Sequence, residues 1–93
     1  MFDLTAFQRD LLYVVDGLDT PKGVDIKAEL DTYYKEEINH GHLYPALEEL
    51  SNKGLITKQE LDGRTNMYSL TRRGRQEIEA RREWEQSLIK DII

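Results

Sequence analysis

"LEELSNKGLITKQELDGRTNMYSLTRRG", residues Leu47 to Gly74, changes its period halfway. Up to Gly54 the apolar positions keep helical spacing, Leu43 just upstream joining Leu47 and Leu50 on one stripe. From Leu55 onward the pattern alternates. "LITKQEL" and "TNMYSL" read as two strands, and "DGR" between them offers Asp62–Gly63 as a hairpin-turn pair. Gly54 stands just past the end of the helix, where a left-handed residue is favoured. Thr71 suits the N-cap of a long, highly charged last helix. A helix passing directly into a hairpin and then a second helix decides the fold.

Two more helices precede this stretch. Thr5 can cap a first one carrying Phe7, Leu11, Val15 and Leu18 at helical spacing. "LDTPKG" breaks it, and Thr20 with Pro21 suits the N-cap and first position of a second helix. That helix presents Ile26, Leu30 and one of Tyr33 or Tyr34. "KEEIN" is a loop, after which Asn39 caps the third helix. The expected chain is mainly α with a small β-hairpin (α+β): a winged helix-turn-helix over residues 1–74, continuous with a C-terminal dimerisation helix over residues 75–93. In such an arrangement the second helix of the motif enters the major groove of double-stranded DNA. The hairpin can touch the flanking backbone. Winged domains also dock proteins, so a docking module that does not bind DNA specifically stays open as the other reading.

Composition narrows the field. At 93 residues the chain is one small domain with a marginal core, a size that often gains stability by self-association. It has no cysteine, hence no disulfide, thiolate metal site or thiol redox sensor. No apolar run approaches the roughly 20 residues of a membrane span, and no signal peptide is evident. The expectation is a soluble, cytoplasmic protein without membrane contact. No nucleophile–base arrangement, phosphate-binding glycine loop or metal cluster marks an enzyme, and no cofactor is implied.

The net charge of −5 argues against a generic nucleic-acid binder. Its distribution argues the other way. Residues 53–75 hold six bases and two acids, a net +4, whereas residues 1–52 carry −7 and residues 76–93 carry −2. Positive charge thus gathers on the wing and the start of the last helix, as a backbone-contacting surface needs. Lys53, Arg64, Arg72 and Arg73 are the candidate phosphate contacts, with Thr65 and Asn66 beside Arg64 on the wing. Arg64 at the hairpin tip has only Asp62 nearby to pair with.

"LTAFQRDLLYVV", "HGHLYPALEELSNKGLI" and "DGRTNMYSLTRRGR" together resemble the PadR family of winged-helix transcriptional regulators. Gly41, Leu43, Tyr44, Pro45, Leu47, Leu50, Gly54, Leu55 and Ile56 match one part of the family pattern. Arg64, Tyr68, Leu70, Thr71 and Gly74 match the other. The acidity and the "REWEQ" ending further resemble short PadR-like proteins of salt-loving archaea. The resemblance implies a homodimeric DNA-binding regulator, a repressor in the reading adopted here, dimerising through its last helix.

Within the third helix Gly41, Pro45, Glu48 and Asn52 fall opposite the leucine stripe. Pro45 lacks an N–H and crowds the carbonyl of Gly41, so a loosened or bent first turn is expected. Gly41 tolerates that distortion and leaves room for another backbone. Asn39, His40, His42 and Tyr44 can donate or accept hydrogen bonds to phosphate or base edges. His40 and His42, two residues apart on a helix, point away from each other, which disfavours a metal site. Glu48 and Glu49 depart from the basic residues expected of the family here; Glu48 can accept from a cytosine amine or be repelled by phosphate. On the last helix Ile78, Leu88, Ile89 and Ile92 share a stripe edged by Trp84, with Arg81 and Glu85 inside it. A partner chain is the expected cover for that stripe. In some PadR members a tryptophan on this helix stacks on flat ligands, a feature Trp84 resembles, although nothing else in the sequence indicates a small-molecule effector.

Overall fold

A computed structural model describes residues 1–89. Thr5 Oγ1 accepts from the Gln8 N–H and Gln8 Oε1 accepts from the Thr5 N–H, both at 3.1 Å. This reciprocal capping box starts α1 (Ala6–Leu18). Leu11, Leu12 and Val15 point into the core, Phe7 is half-buried and Leu18 is exposed.

The second helix does not begin at Thr20 and Pro21. Asp19 and Thr20 are both left-handed, with φ of 56° and 60°. Pro21 and Lys22 then run extended beside the hairpin: Tyr68 N–H donates to the Pro21 carbonyl at 2.9 Å, and Lys22 bridges to Met67. Only after that does α2 (Gly23–Tyr34) start. Pairing with the hairpin's edge satisfies backbone groups that a local helix start would leave open, so the tertiary partner overrides the Thr-Pro signal. On α2, Ile26 and Leu30 are buried and Tyr34, rather than Tyr33, packs against the core.

Asn39 caps α3 (His40–Asn52) by accepting from the Gly41 N–H at 2.6 Å. Leu43, Ala46, Leu47 and Leu50 are buried, and Gly54 follows with a left-handed φ of 77°. The chain then enters β1 (Ile56–Asp62) and returns antiparallel as β2 (Thr65–Leu70), Ile56 opposite Leu70 and Lys58 opposite Tyr68. The ladder shifts between Glu60 and Asp62, so that Asp62 pairs with Thr65 and the turn residues are Gly63 and Arg64. The turn therefore lies one residue beyond the expected Asp62–Gly63 pair. Gly63 does not take the left-handed conformation of a type I′ turn. Instead the Asp62 carboxylate accepts from the N–H groups of Arg64 and Thr65 at 2.9 and 3.0 Å.

The hairpin is locked to α4 (Arg72–Leu88) through Thr71. Its N–H donates to the Leu55 carbonyl at 3.1 Å, and its hydroxyl donates to the Gly54 carbonyl at 2.7 Å. The same hydroxyl accepts from the Gly74 N–H at 3.0 Å, capping the helix. A Cβ on Gly74 would stand 2.2 Å from the Leu55 oxygen, so this glycine is required by close backbone approach.

The first half of α4 lies on α1. Ile78 is buried in the protomer's own core, the Met1 amino group reaches Glu77 at 3.0 Å and Arg75 pairs with Asp16 at 3.2 Å. Ile78 is therefore not part of an open seam: helical period marks an apolar position without saying whose core receives it. Arg81 and Glu85 pair with each other at 3.6 Å, and the Arg81 guanidinium lies 4.7 Å from the centre of the Trp84 ring. Trp84, Leu88 and Ile89 remain 53%, 61% and 66% exposed. Ile92 lies outside the described residues.

Gly74→Ala should destabilise the chain by about 3 kcal/mol, because backbone rather than a flexible side chain must give way. Gly63→Ala, with nothing near its Cβ direction, should stay within about 0.5 kcal/mol. Urea unfolding of both variants checks the contrast, and equal losses would refute the assigned role of Gly74.

Candidate nucleic-acid interface

Gly41, Pro45, Glu48 and Asn52 lie along the outer face of α3, all exposed. The expected loosening around Pro45 is not seen. The helix runs unbroken from His40 to Asn52, and the first-turn bonds from His42 N–H and Leu43 N–H to the Asn39 carbonyl are both 3.0 Å. Pro45 simply has no N–H to offer the Gly41 carbonyl, which leaves that acceptor on the exposed face. Gly41 protects the cap: a Cβ there would meet Asn39 Oδ1 at 3.1 Å.

The two flanks of this face have different neighbours. On one side His42 stacks on Phe7 of α1, ring centres 4.1 Å apart, and Glu49 accepts from the buried Gln8 amide at 2.8 Å. On the other side His40 meets the edge of Tyr44 at 5.6 Å, and Tyr44 leans over Gly23 at the start of α2. Glu48 pairs with Lys58 of β1 at 3.3 Å, tying α3 to the wing. Glu49 is thus engaged by α1, and Glu48 is half-neutralised by a lysine.

Tyr44, Lys22, Gly23 and Val24 form one wall of a cleft of about 270 Å³, and Arg64, Thr65, Asn66 and Tyr68 of the wing form the other. The hairpin tip, the first turns of α3 and the start of α2 therefore meet at one place. Arg64 makes no ion pair among the described residues, whereas Lys53 is held by Asp3 at 3.6 Å. Arg72 and Arg73 are exposed, but they sit at the base of the hairpin, roughly 20 Å from its tip at the usual strand rise. The structure brings Tyr44, with His40 against it, to one surface with Arg64, Thr65 and Asn66, and Asn39, Gly41 and Pro45 are exposed beside them on α3. It leaves Lys53, Arg72 and Arg73 at the far end. Among the described residues no cluster of three or more His, Cys, Asp or Glu side chains could hold a metal ion, and no helix is long and apolar enough to cross a membrane.

The sequence profile of the transcriptional regulator PadR-like family matches residues 11–80. The chain belongs to the PadR-like family of transcriptional regulators. Among solved structures, RosR of H. salinarum is 49% identical, with a TM-score of 0.89 over 96% of this chain and 81% of that one. The hsRosR-SG complex structure gives 0.91 at 49% identity, over 97% and 80%. AbfR in a disulfide-formed state is 26% identical, with a TM-score of 0.79 over 98% of this chain and 60% of that one. This PadR-like chain has no cysteine, so the AbfR disulfide has no counterpart in it. A winged-helix DNA-binding protein from STIV shares the fold, with a TM-score of 0.72 at 19% identity. The comparison with curated proteins gave no match.

Lys22, Gly23, Val24 and Tyr68 are the cleft residues that sequence reasoning missed. "TPKG" reads locally as a helix start, and nothing in it announces that the wing folds back against it. The Asp62 carboxyl, at the other lip, is held below the usual carboxylate range by the N–H of Arg64 and then by Thr65. A depressed carboxyl contributes order above its unfolded pKa and loses it as pH falls through the lower folded value. In a carbon-13 carboxyl titration Asp62 should reach its midpoint below that of an unperturbed aspartate. The Arg64 and Thr65 amide resonances should move with it, and an ordinary midpoint would refute this turn geometry.

Proposed function

We propose that this PadR-like chain is a homodimeric, sequence-specific DNA-binding repressor acting in the cytoplasm. The observation that carries the reading is the convergence of Tyr44, Lys22 and Arg64 around one cleft beside the exposed first turns of α3. A groove-reading helix needs an unobstructed outer face, which Gly41 and Pro45 provide, and a wing cation free to meet phosphate, which Arg64 provides. Against the negative net charge, the cleft itself carries Lys22 and Arg64, and Glu48 on the outer face of α3 is paired with Lys58. Dimerisation is supported by the distal end of α4, where Trp84 and Leu88, and Ile89 in the extended cap that ends the helix, stand exposed beyond the reach of the protomer's own core. A second copy linked there sets two reading helices on two half-sites, and occupancy of a promoter by the pair would exclude polymerase.

A mobility shift with the DNA upstream of the chain's own gene tests the core of this reading. Specific retardation supports it, and none at any salt concentration would leave the protein-docking alternative. Arg64→Ala should weaken binding to all duplexes by a similar factor and flatten the salt dependence by about one phosphate per protomer. Asn39→Ala or His40→Ala should instead change the preferred sequence, by roughly 1–3 kcal/mol at one or two base pairs.

Leu88→Asp should turn the dimer into a monomer, since a carboxylate would enter an apolar seam without a partner. Sedimentation of the variant decides it: an unchanged dimer removes α4 from the interface.

A further inference from the structure

Gly23 is the first residue of α2 and lines the cleft between α2, Tyr44 and the wing. Its backbone gives no reason for a glycine. Its φ is not left-handed, and inside a helix alanine is the better residue. The reason is room. A Cβ on Gly23 would lie 2.8 Å from the Tyr44 hydroxyl and 2.9 Å from its Cε1, distances that force the ring to move. His40 meets the same ring from its own helix at 5.6 Å. Tyr44 is therefore held between the His40 ring and a bare backbone, with its hydroxyl over the start of α2.

We infer that Gly23 is a positioning residue for DNA binding: by lacking a side chain it seats the Tyr44 hydroxyl in the cleft with Lys22 and Arg64, where one DNA backbone phosphate joins α2 to the wing. The inference rests on the DNA reading proposed above and adds a residue that touches no DNA itself. A phenol donates one hydrogen bond, and donation to a phosphate oxygen is charge-assisted, hence sensitive to small displacement. Lys22 on one wall and Arg64 on the other supply positive charge for one anion, set against the single nearby carboxylate of Asp62, which is already taken up by the N–H groups of the turn. An alanine at position 23 swings the ring outward, which withdraws the hydroxyl and puts aromatic bulk where the phosphate would lie.

The experiment is a double-mutant cycle on the full chain, using Gly23→Ala, Tyr44→Ala and the pair, with Tyr44→Phe as a hydroxyl-only control. Affinity is read by fluorescence anisotropy on a labelled duplex across a potassium chloride series, and folding by circular dichroism. Gly23→Ala, Tyr44→Ala and Tyr44→Phe should each bind about tenfold more weakly, the scale of one hydrogen bond to a charged group. Their salt slopes should stay close to that of the wild type, because Lys22 and Arg64 remain and a neutral phenol releases no counterion. The pair should bind no more weakly than Tyr44→Ala alone, because the added methyl then has no ring to displace. It should also melt higher than Tyr44→Ala, since alanine is favoured in a helix once the space is free. In the wild type an NMR cross-peak should link the Tyr44 ring to the Gly23 α-protons, and Gly23→Ala should lose ring contacts there.

Additive losses in the pair, or wild-type affinity in Gly23→Ala, would overturn the role of Gly23 while leaving DNA binding intact. Wild-type protein that binds no duplex would overturn the DNA reading instead, a result the anisotropy of the unmutated chain shows before any variant is made.

Discussion

Three backbone segments meet within hydrogen-bonding distance at Thr71. The end of α3 arrives at Gly54 and Leu55, the hairpin closes at Leu70, and α4 departs through Gly74. One hydroxyl serves two of these segments, and the absence of a side chain on Gly74 admits the Leu55 carbonyl. The rest of the molecule depends on this junction. It fixes the angle between α3 and the wing, and it fixes where α4 starts its path along α1. Loss of either feature would free α3, the wing and α4 from one another, although each could still form locally. The threonine and glycine three residues apart in the family pattern thus have a mechanical reason.

The surface proposed to read DNA is assembled from parts that are not neighbours in sequence. Tyr44 comes from α3, Lys22 and Gly23 from the turn before α2, and Arg64 from the hairpin tip. The contact that brings them together is the short extended run of Pro21 and Lys22 against β2. That run needs the chain to leave α1 through two left-handed residues, Asp19 and Thr20, a conformation costly for a β-branched threonine. The strain is local, and the pairing of otherwise open backbone groups on β2 offsets it. The wing is therefore held from two sides, by the junction at its base and by α2's approach near its tip.

Local signals in the chain were legible where the deciding partner is close in sequence. Thr5 with Gln8, Asn39 before α3, Gly54 after it and Thr71 before α4 all act within a few residues, and each is found doing what its type and position imply. The leucine stripe of α3 was legible for the same reason. Errors arose where a distant segment decides. Thr20 and Pro21 carry a helix-start signature that β2 overrides. Ile78 has the period of the α4 stripe but serves the protomer's own core, because period gives a direction and not the identity of what lies there. The basic cluster of residues 53–75 was real, yet Asp3, Glu48 and Asp16 engage three of its six members, leaving Arg64 as the cation at the tip. His42 and Glu49 touch Phe7 and Gln8 of α1 while staying exposed, contacts that no helical wheel contains.

The Pro21–Lys22 run also alters what the hairpin presents to other molecules. A two-stranded ribbon ordinarily has two open borders, each a row of unsatisfied N–H and C=O groups able to recruit a strand from another chain. Here β2 is bordered by β1 on one side and, around Met67 and Tyr68, by the segment before α2 on the other. The remaining border belongs to β1, whose Thr57, Lys58, Gln59 and Glu60 are polar or charged and exposed, and whose ladder slips at Glu60–Asp62. A charged, kinked border is a poor template for an incoming strand. The wing can therefore project from the body of the protein at high concentration without seeding fibrous stacking.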